Sequence, residues 1–524
     1  MGNFKRYTPV LLVALLIFSL YYKLGYENIN VDQFLWYTRS QNFFKAVSEG
    51  SYLETYQQYH PGVLLMYLIG LGQLSYRLFT GDQATYPDIS YVNFGTYNFF
   101  TKFYTVSFSL VLLLVSSYML YRITSSKQFT YVFLTALYLE AYFVGVLRNL
   151  HLDGLLSVLL FSTVIAFYLA VTSRSWKYLL VSGLLMGLGL LTKSTAIFAA
   201  AFCFLVLIYF SFAKKGLIRW LLKAWLIWMA TAAGVFFVLF PAMWVAPVST
   251  IQKIVLDGVL ETGANGGFTH VVNDISSRDP GPLFYLQVVK FRITPLTQLS
   301  ATAFFVCSAF FVASNRTVRD RLTKYIPPAL PLYLLSVLFI IIYLAIFTLA
   351  SKKTDRYITP IFPFLVLDSV CALSFVYRLT LQKTLTRVLF YIFLTVFMLY
   401  GVVNMLTIAP YGMAYYNHVW GGINKAKKQI YLNQGGIGYF ELAAYLNSLN
   451  IPSDTIIGAT NDTELEKLVR YPVTAPQPKK RKEYKLVVLP LQKDALYKSS
   501  RKLAYKLNIQ GQNYWNVYYR DLDL

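Results

Sequence analysis

The stretch from Gly25 to Gly62, GYENINVDQFLWYTRSQNFFKAVSEGSYLETYQQYHPG, is polar and aromatic-rich and directly follows the first long apolar run of the chain. It contains four acidic residues, Glu27, Asp32, Glu49 and Glu54. Most of the chain beyond it is apolar. An acidic, water-exposed segment so early in an apolar chain indicates a functional role. Asp32 is the best candidate for the residue with that role.

The composition of the whole chain is typical of a polytopic membrane protein. Of 524 residues, 56% are hydrophobic and only 14% are charged, whereas soluble domains carry about a quarter charged residues. The net charge of +23 fits cytoplasmic loops and anionic lipid headgroups, and no nucleic-acid-binding motif accompanies it. The cysteines, Cys203, Cys307 and Cys371, lie in apolar runs and form no disulfide or metal-binding pattern.

About eleven apolar runs are long enough, or nearly long enough, to cross a bilayer. They lie near 7–22, 103–121, 129–147, 155–172, 178–192, 194–212, 220–240, 296–313, 329–350, 357–377 and 388–409. The first is expected to be a retained span, because no small-residue cleavage site follows it. The short fifth and sixth runs are separated at Lys193, where we expect a tight turn.

A further apolar segment, 63–79, decides the orientation of the chain. If it does not span, the basic loops gather on the cytoplasmic side and the acidic loops lie outside; if it spans, this bias is inverted. Gln73, Ser75 and Arg77 would also be unfavourable in lipid. We therefore expect 63–79 to be an interfacial or re-entrant helix, with the N-terminus inside and the C-terminus outside.

The predicted fold is an α-helical polytopic membrane protein with interfacial helices and a small α/β extramembrane domain at the C-terminus. The transmembrane domain is 1–409, with external loops at 23–96 and 241–295, and the external C-terminal domain is 410–524. In the latter, the apolar islands 455–459 and 484–491 flank a helix-like segment, which gives the strand–helix–strand order of an α/β unit. Its Lys479–Lys482 run is expected to be a solvated loop.

Asp32 lies at the start of an expected interfacial amphipathic helix. It could simply cap that helix. The functional alternative is a general base that takes a proton from an acceptor hydroxyl. Further along the same stretch, Pro61 and Gly62 are typical of a structural helix entry, whereas the functional interpretation has His60 contacting the substrate.

The segment Arg148–Gly154, RNLHLDG, is a polar break between two apolar runs. It is either an ordinary loop with an Arg–Asp ion pair or part of the site. In the second case, Arg148 and His151 contact substrate, while Asp153 orients the acceptor or binds a divalent metal together with Asp32. Glu140, inside an apolar run, faces either a cavity or a polar partner.

Basic residues occur at two places on the expected outer side of the membrane. Lys193 either extends its ammonium group to the interface or binds a lipid phosphate. The segment SKKTDRY, 351–357, places Lys352, Lys353 and Arg356 on the side that otherwise avoids basic residues. This breach of the positive-inside pattern favours an anionic ligand such as a phosphate or diphosphate leaving group, with Tyr357 adding interfacial packing. The long loop 241–295 is expected to cover this site.

Taken in series, these segments resemble the GT-C glycosyltransferases of the protein O-mannosyltransferase superfamily, which includes the lipid A aminoarabinose transferases. They occur in family order over most of the chain. The matching pieces are Asp32 after the first span, His60-Pro61, the loop Arg148 to Asp153, LGLLTKS (188–194), GPLFYL…ITPLT (281–297), DRYITPIFPFL (355–365) and YYNHVWGG…YFELAAYLN (415–447).

The resemblance implies an inverting transfer from a polyprenyl-phosphate sugar, with Asp32 as the catalytic carboxylate. It also implies phosphate recognition by Lys193 and the basic residues of 352–356. The chain departs from the family at two places. Members usually have Asp-Glu where this chain has Asp32-Gln33, and His-Pro-Pro where it has His60-Pro61-Gly62, so the donor and acceptor subgroup stay open.

We therefore expect a hexosyl or pentosyl transferase of the cell envelope, a multi-pass protein of the plasma membrane whose active site faces outside. Its partners would be a polyprenyl-phosphate sugar, a protein, glycolipid or glycan acceptor, and the bilayer, but no nucleic acid. A transporter or flippase of lipid-linked glycans is the alternative, although it would favour charged residues along the spans or a two-fold hydropathy repeat. A catalytically inactive scaffold for the C-terminal domain is a third possibility.

Overall fold

The computed structural model describes most of the chain. The described residues are 13–214, 216–261, 270–272, 275–277, 279–323, 325–326, 328–350, 352–380, 383–430, 436–460, 462–475, 484–490, 502–509 and 511–519. This part of the chain is predominantly helical, and it ends in a small sheet. The predicted fold class is confirmed.

The helices are numbered here in chain order. They are α1 Val31–Ser48, α2 Val63–Thr80, α3 Phe94–Thr124, α4 Lys127–Tyr138, α5 Ala141–Arg148, α6 Leu152–Ser173, α7 Trp176–Thr192, α8 Ile197–Ala213, α9 Ile218–Leu239, α10 Ala242–Val245, α11 Pro247–Val255, α12 Phe284–Arg292, α13 Pro295–Ala313, α14 Arg316–Thr323, α15 Leu330–Leu349, α16 Phe362–Thr380, α17 Thr384–Ile408, α18 Gly422–Ala426, α19 Tyr439–Ser448 and α20 Asp462–Glu466.

Nine helical segments among the described residues are long and apolar enough to cross a membrane, or ten if the bent pair α4–α5 forms one span. The first expected span lies partly outside the described residues, although 13–21 are helical. Helix α7 has 17 residues and is shorter than the other candidates. About eleven spans were expected, so the count agrees approximately.

The core of the bundle is formed by α6, which is buried along its whole apolar length. A helix that is apolar on every side is stable only when other helices surround it. Helix α16 is also largely buried, whereas α9 and α17 expose most of their apolar surface. The buried pair therefore forms the centre, and the exposed helices would face lipid.

The sequence break at Lys193 is a real boundary between two helices. Helix α7 ends at Thr192, and a 3₁₀ turn, Ser194–Ala196, leads directly into α8. The predicted tight turn is therefore present. It leaves the Lys193 side chain at the junction of two apolar helices, where it is 5% exposed.

Helix α2 makes polar contacts with the end of α7 and with α3. At its start, Gly62 donates its N–H to the carbonyl of Thr192 (3.1 Å). In its second half, Gln73 donates to the hydroxyl of Tyr97 (3.0 Å), and the neighbouring Asn98 binds the carbonyl of Gly25 (2.8 Å). The length and apolarity of α2 permit a span, so its interfacial placement stays a prediction.

A 72° bend separates α4 from α5, and Glu140 lies at the bend, fully buried. Its carboxylate accepts hydrogen bonds from the backbone N–H (3.0 Å) and the hydroxyl (2.5 Å) of Thr294, directly before α13. A carboxylate at a helix N-terminus satisfies free N–H groups and interacts favourably with the helix dipole. Glu140 therefore faces a polar partner that joins the bend to α13.

The C-terminal domain contains a five-stranded mixed sheet in the order β4-β3-β5-β7-β6. Strands β1 and β2 form a separate antiparallel pair in the long loop. The strands are β1 His270–Val272, β2 Ile275–Ser277, β3 Ile457–Ala459, β4 Val473–Thr474, β5 Leu486–Pro490, β6 Lys502–Ile509 and β7 Gln512–Tyr519. Strand β3 is parallel to both neighbours, and β7 is antiparallel to β5 and β6. The Lys479–Lys482 run lies outside the described residues.

The sheet packs on the segment that connects it to the membrane helices. The indole of Trp515 donates to the carbonyl of Ile437 (2.6 Å), and its ring lies 4.7 Å from that of Tyr439. Gly436 lies against the backbone of Ile29, three residues before Asp32. The connecting segment therefore adjoins the polar stretch that follows the first span.

Candidate active site

Asp32 lies in the first turn of α1 without acting as its cap. The cap is Asn30, whose side chain accepts a hydrogen bond from the N–H of Gln33 (3.0 Å). The Asp32 carboxylate is therefore free to make other contacts, and 39% of its side chain is exposed. The interpretation of Asp32 as a simple N-cap is wrong.

Two side chains from distant parts of the chain contact the Asp32 carboxylate. Arg356 lies 2.9 Å from its Oδ2 atom, and Nε2 of His151 lies 3.2 Å from the same oxygen. Burial alone would raise the pKa of Asp32, but His151 and Arg356 together hold that pKa well below its usual range. Asp32 is therefore ionised at neutral pH.

Asp153 is the buried counterpart of Asp32, with 2% of its side chain exposed. Its Oδ1 atom lies 2.8 Å from the ammonium of Lys193. Its Oδ2 atom lies 3.0 Å from Nδ1 of His151 and 3.2 Å from Nε of Arg356. The two carboxylates are thus joined on one side by an imidazole and on the other by a guanidinium group.

His60 borders this cluster, and Lys352 lies close enough to interact electrostatically with His60 and with Tyr357. Burial and, secondly, the ammonium of Lys193 lower the pKa of His60 well below its usual value, so its imidazole is neutral at physiological pH. Its ring lies 4.5 Å from that of Tyr59. Within the described part of the chain, Nδ1 of His60 is buried without a hydrogen-bond partner. The ammonium of Lys193 lies 4.6 Å from the ring centroid of Tyr357.

Two predicted site residues have other partners. Lys353 is buried, and its ammonium lies 2.5 Å from Asp279. Arg148 lies 2.8 Å from Glu27 and donates to the carbonyls of Ser19 and Tyr22. The expected ion pair between Arg148 and an aspartate of its own loop is therefore absent, because Glu27 takes that place. The structure does not bring either cation into the Asp32 cluster.

The long loop 241–295 reaches the mouth of the site. Gly258 packs against Tyr59, next to His60. The glycine-rich GANGGF segment, 263–268, lies outside the described residues, as do the side chains of Glu261 and His270.

Arg292 is a buried anchor beside the site that the sequence interpretation missed. It lies 2.5 Å from the carboxylate of Asp355 and donates to the carbonyls of Met413 (2.9 Å) and Tyr415 (2.7 Å). It thereby fixes the residue next to Arg356 and ties it to the chain beyond α17. In the sequence it is one basic residue among many, with no signal of its burial.

An apolar groove of about 690 Å³ begins beside the cluster. Pro61 and Ser194, which line one part of it, are the immediate neighbours of His60 and Lys193. The rest is lined by apolar side chains of α7 to α11: Met186, Leu190, Ile197, Ala200, Trp225, Trp228, Met229, Ala232, Ala233, Phe236, Phe237, Met243, Ile251, Ile254 and Val255. Such a lining suits a hydrocarbon chain.

The acidic residues of the site are surrounded by cationic groups rather than arranged as metal ligands. Among the described residues, no three His, Cys, Asp or Glu side chains form a group that could hold a metal ion. Lys193 and Arg356 already contact the oxygens of Asp153. The divalent metal considered from the sequence stays an untested alternative.

Comparison with known proteins gives one family. Residues 98–244 match the family described as dolichyl-phosphate-mannose-protein mannosyltransferase, and this segment contains Arg148, His151, Asp153 and Lys193. The match confirms, over that segment, the predicted resemblance to the protein O-mannosyltransferase superfamily. No curated protein matches the chain.

The solved structures that align with this chain include the following two. Both are crystal structures of ArnT from Cupriavidus metallidurans, one bound to undecaprenyl phosphate (TM-score 0.48) and one in the apo state (TM-score 0.49). Each is 15% identical in sequence, and each alignment covers 97% of both chains.

Proposed function

We propose that the chain is a membrane glycosyltransferase that moves a sugar from a polyprenyl-phosphate donor to an acceptor hydroxyl, with inversion. The observation that carries this proposal is the convergence of Asp32 with Arg356 and Lys193, which come from distant parts of the chain, at the mouth of an apolar groove. Residues 98–244 match a family of mannosyltransferases whose sugar donor is lipid-linked, dolichyl-phosphate mannose. This match supports the same class of reaction.

Asp32 is the base that activates the acceptor hydroxyl. Its carboxylate accepts the proton of the acceptor hydroxyl as the oxygen attacks the anomeric carbon. The bond between that carbon and the phosphate oxygen breaks on the opposite face, and its electron pair leaves with the polyprenyl phosphate. Attack from the opposite face inverts the configuration of the anomeric carbon.

The cations stabilise the phosphate as it leaves. In a partly dry site, preorganised donors of this kind contribute several kcal/mol to the transition state. Lys193 and Arg356 are held in place by Asp153, so they do not need to reorganise during the reaction. His60 and Lys352 also border the cluster, and we assign them to the phosphate oxygens.

The apolar groove would hold the polyprenyl chain. Apart from Ser194, its lining between Met186 and Val255 is apolar, and Ser194 is the immediate neighbour of Lys193. A lipid chain lying there places its phosphate beside the cations and its sugar beside Asp32. The acceptor then enters from the exposed side of Asp32, at the external face of the plasma membrane.

The proposal is tested with purified protein in lipid nanodiscs, using polyprenyl-phosphate mannose, glucose and 4-amino-arabinose as donors. Membranes of the producing cells supply the acceptor, and released polyprenyl phosphate is measured. We expect turnover with one donor, and we expect Asp32→Asn to abolish it while the protein stays folded. Glu54→Gln, an exposed carboxylate of the same stretch, is the matched control and should keep full activity. Turnover by purified Asp32→Asn would refute the assignment.

A further inference from the structure

Arg39 is a cation of α1 that lies near the site without an anionic partner in contact with it. Its side chain is half-buried, and its guanidinium carbon lies 4.7 Å from the ring centroid of Trp36. Within the described part of the chain, the guanidinium group forms no hydrogen bond and no ion pair. Because a guanidinium group carries five N–H donors, it is available to bind an anionic ligand.

Arg39 lies on the same face of α1 as Asp32. Asp32, Trp36 and Arg39 are spaced i, i+4 and i+7, which places them on one side of a helix. The step from Asp32 to Arg39 corresponds to about 10 Å along the helix axis. The two side chains still interact electrostatically, and Arg39 interacts in the same way with Tyr59. The guanidinium group therefore lies two helical turns from the proposed base.

The neighbouring residues compensate only in part for the burial of Arg39. Burial lowers the pKa of its guanidinium group, and Asp32 and Tyr59 oppose this effect without cancelling it. The Asp32 carboxylate is already engaged by Arg356 and His151. An anionic group that binds beside Arg39 would therefore gain a charge-assisted hydrogen bond without displacing an existing ion pair.

Trp36 holds the guanidinium group in place. Its indole is buried and packs against Gly62, where a Cβ atom would lie 2.2 Å from the ring. An arginine on a tryptophan ring is held by cation–π attraction, and stacking leaves the N–H groups at its edge free for a ligand. The glycine after Pro61 therefore leaves room for the ring that positions Arg39.

The position of Arg39 favours contact with the acceptor over contact with the donor. Lys193 and Arg356, the cations proposed for the donor phosphate, form their ion pairs with the aspartates of the cluster, and Arg39 takes no part in these contacts. None of the described residues of α1 lines the apolar groove proposed for the lipid chain. Arg39 instead lies near Tyr59, against which the long loop 241–295 packs through Gly258.

We propose that Arg39 binds an anionic group of the acceptor, either a phosphate monoester or a carboxylate. This inference rests on the proposed function. Because Arg39 lies about 10 Å along α1 from Asp32, the anionic group is a different substituent from the hydroxyl that reacts. A guanidinium group binds a phosphate or a carboxylate through two parallel N–H donors. Arg39 is therefore a specificity-determining residue that selects acidic acceptors and acts on binding rather than on the chemical step.

The test measures sugar transfer by the purified protein in nanodiscs at saturating donor. The acceptor is a heat-treated detergent extract of membranes from the producing cells, added in increasing amounts. We expect Arg39→Gln to raise the half-saturating amount of extract about 10- to 100-fold, the usual contribution of a hydrogen bond to a charged group. The kcat value and the KM for the donor should change little. Arg39→Lys keeps the charge but loses the paired donors, so its rise should be smaller.

Lys45→Gln is the matched control, because it removes the same charge from the same helix. Lys45 is exposed and pairs with Glu49 (3.9 Å), away from the site, so this variant should behave as the wild type. Thermal melts of all variants check that they remain folded. If Arg39→Gln is unstable, Arg39→Lys is used for the same comparison.

Two treatments of the extract identify the anionic group. Alkaline phosphatase removes phosphate monoesters, and a carbodiimide with methylamine converts carboxylates to neutral amides. One treatment should raise the half-saturating amount for the wild type as much as Arg39→Gln does, and it should have no further effect on that variant.

Three results would overturn the inference while leaving the proposed function intact, provided that the wild type transfers sugar. They are an unchanged half-saturating amount of extract for Arg39→Gln, a raised KM for the donor in its place, and treatments that affect wild type and variant equally or not at all. Wild-type protein that transfers no sugar overturns the proposed function and this inference with it.

Discussion

Gly62 occupies a backbone position that other residues fit poorly. Its φ is +60°, in the left-handed region, and a Cβ atom there would lie 2.2 Å from the ring of Trp36. Proline requires φ near −65°, so the His-Pro-Pro of the related family cannot be accommodated with this backbone. The departure at His60-Pro61-Gly62 therefore follows from how the chain turns into α2.

A substitution at Gly62 should cost more than the backbone strain alone. Gly62→Ala must distort the turn after His60 or displace Trp36. We expect a destabilisation of about 1–3 kcal/mol from overpacking, in addition to the backbone cost. Gly81→Ala is the control, because Gly81 also has a positive φ (+73°) but nothing lies within 4 Å of its Cβ position. Thermal unfolding in detergent that gives equal losses for the two variants would contradict the role of Trp36.

Gln33 explains the second departure from the family in a similar way. Its side chain is fully buried and donates to the hydroxyl of Tyr37 (2.8 Å) and to the side-chain amide oxygen of Asn98 (2.9 Å). A glutamate here would place a carboxylate against the Asn98 acceptor. In this chain the position therefore connects α1 to α3, and it leaves Asp32 as the single acid of that turn.

At the scale of the elements, a buried ion triad joins the end of the first span to two helices. Glu27 lies 3.1 Å from Lys102 on α3 and 2.8 Å from Arg148 on α5, and all three side chains are at most 3% exposed. Removing one partner of a buried ion pair leaves an uncompensated charge, which costs about 3–5 kcal/mol. This triad fixes the point at which the chain leaves the bundle before α1. It thereby also fixes the position of Asp32.

Glu27→Gln should therefore destabilise the protein by about 3–5 kcal/mol, because two buried cations lose their counter-charge. The matched control is Glu49→Gln, since Glu49 pairs with Lys45 across an exposed turn and such pairs contribute about 0–1 kcal/mol. Chemical or thermal unfolding in detergent measures both. Equal stability of the two variants would show that the triad contributes no more than a surface pair.

Some of these connections could be predicted from the sequence and others could not. The break at Lys193 was predictable, since a charged residue between two apolar runs is a local signal. The partner of Arg148 was not, because Glu27 lies far away in the chain and only the packed bundle brings them together. For the same reason, Asp32 and Arg356 could be proposed as one site from their expected side of the membrane, but His151 could not be placed between two carboxylates.

At the scale of the whole molecule, the fold class followed from composition and from the apolar runs, because the bilayer fixes the length and character of spanning helices. The docking of the C-terminal sheet did not follow. It depends on single contacts such as that of Trp515 with Ile437, and these have no periodic signal. The orientation of the chain rests on the positive-inside bias, and therefore on whether α2 crosses the membrane.

Three cysteine positions decide that question. In a background with Cys203, Cys307 and Cys371 replaced by alanine, Glu54→Cys reports the polar stretch before α2, Gln83→Cys the segment after it and Arg319→Cys the basic α14. All three positions are exposed. A membrane-impermeant maleimide applied to intact cells should label 54 and 83, and it should label 319 only after permeabilisation. This labelling pattern would place both ends of α2 outside, as the sequence predicts.

The pattern of labelling separates the remaining arrangements. If position 54 is labelled in intact cells and position 83 is not, α2 spans the membrane. The basic α14 would then lie outside, against the positive-inside bias. Labelling of 319 alone would place the Asp32 cluster on the cytoplasmic side, where the donor sugar would have to be presented from within the cell. Tyr59 and His60 connect the segment of residue 54 to the Asp32 cluster, so the side found for residue 54 is the side on which the proposed sugar transfer would take place.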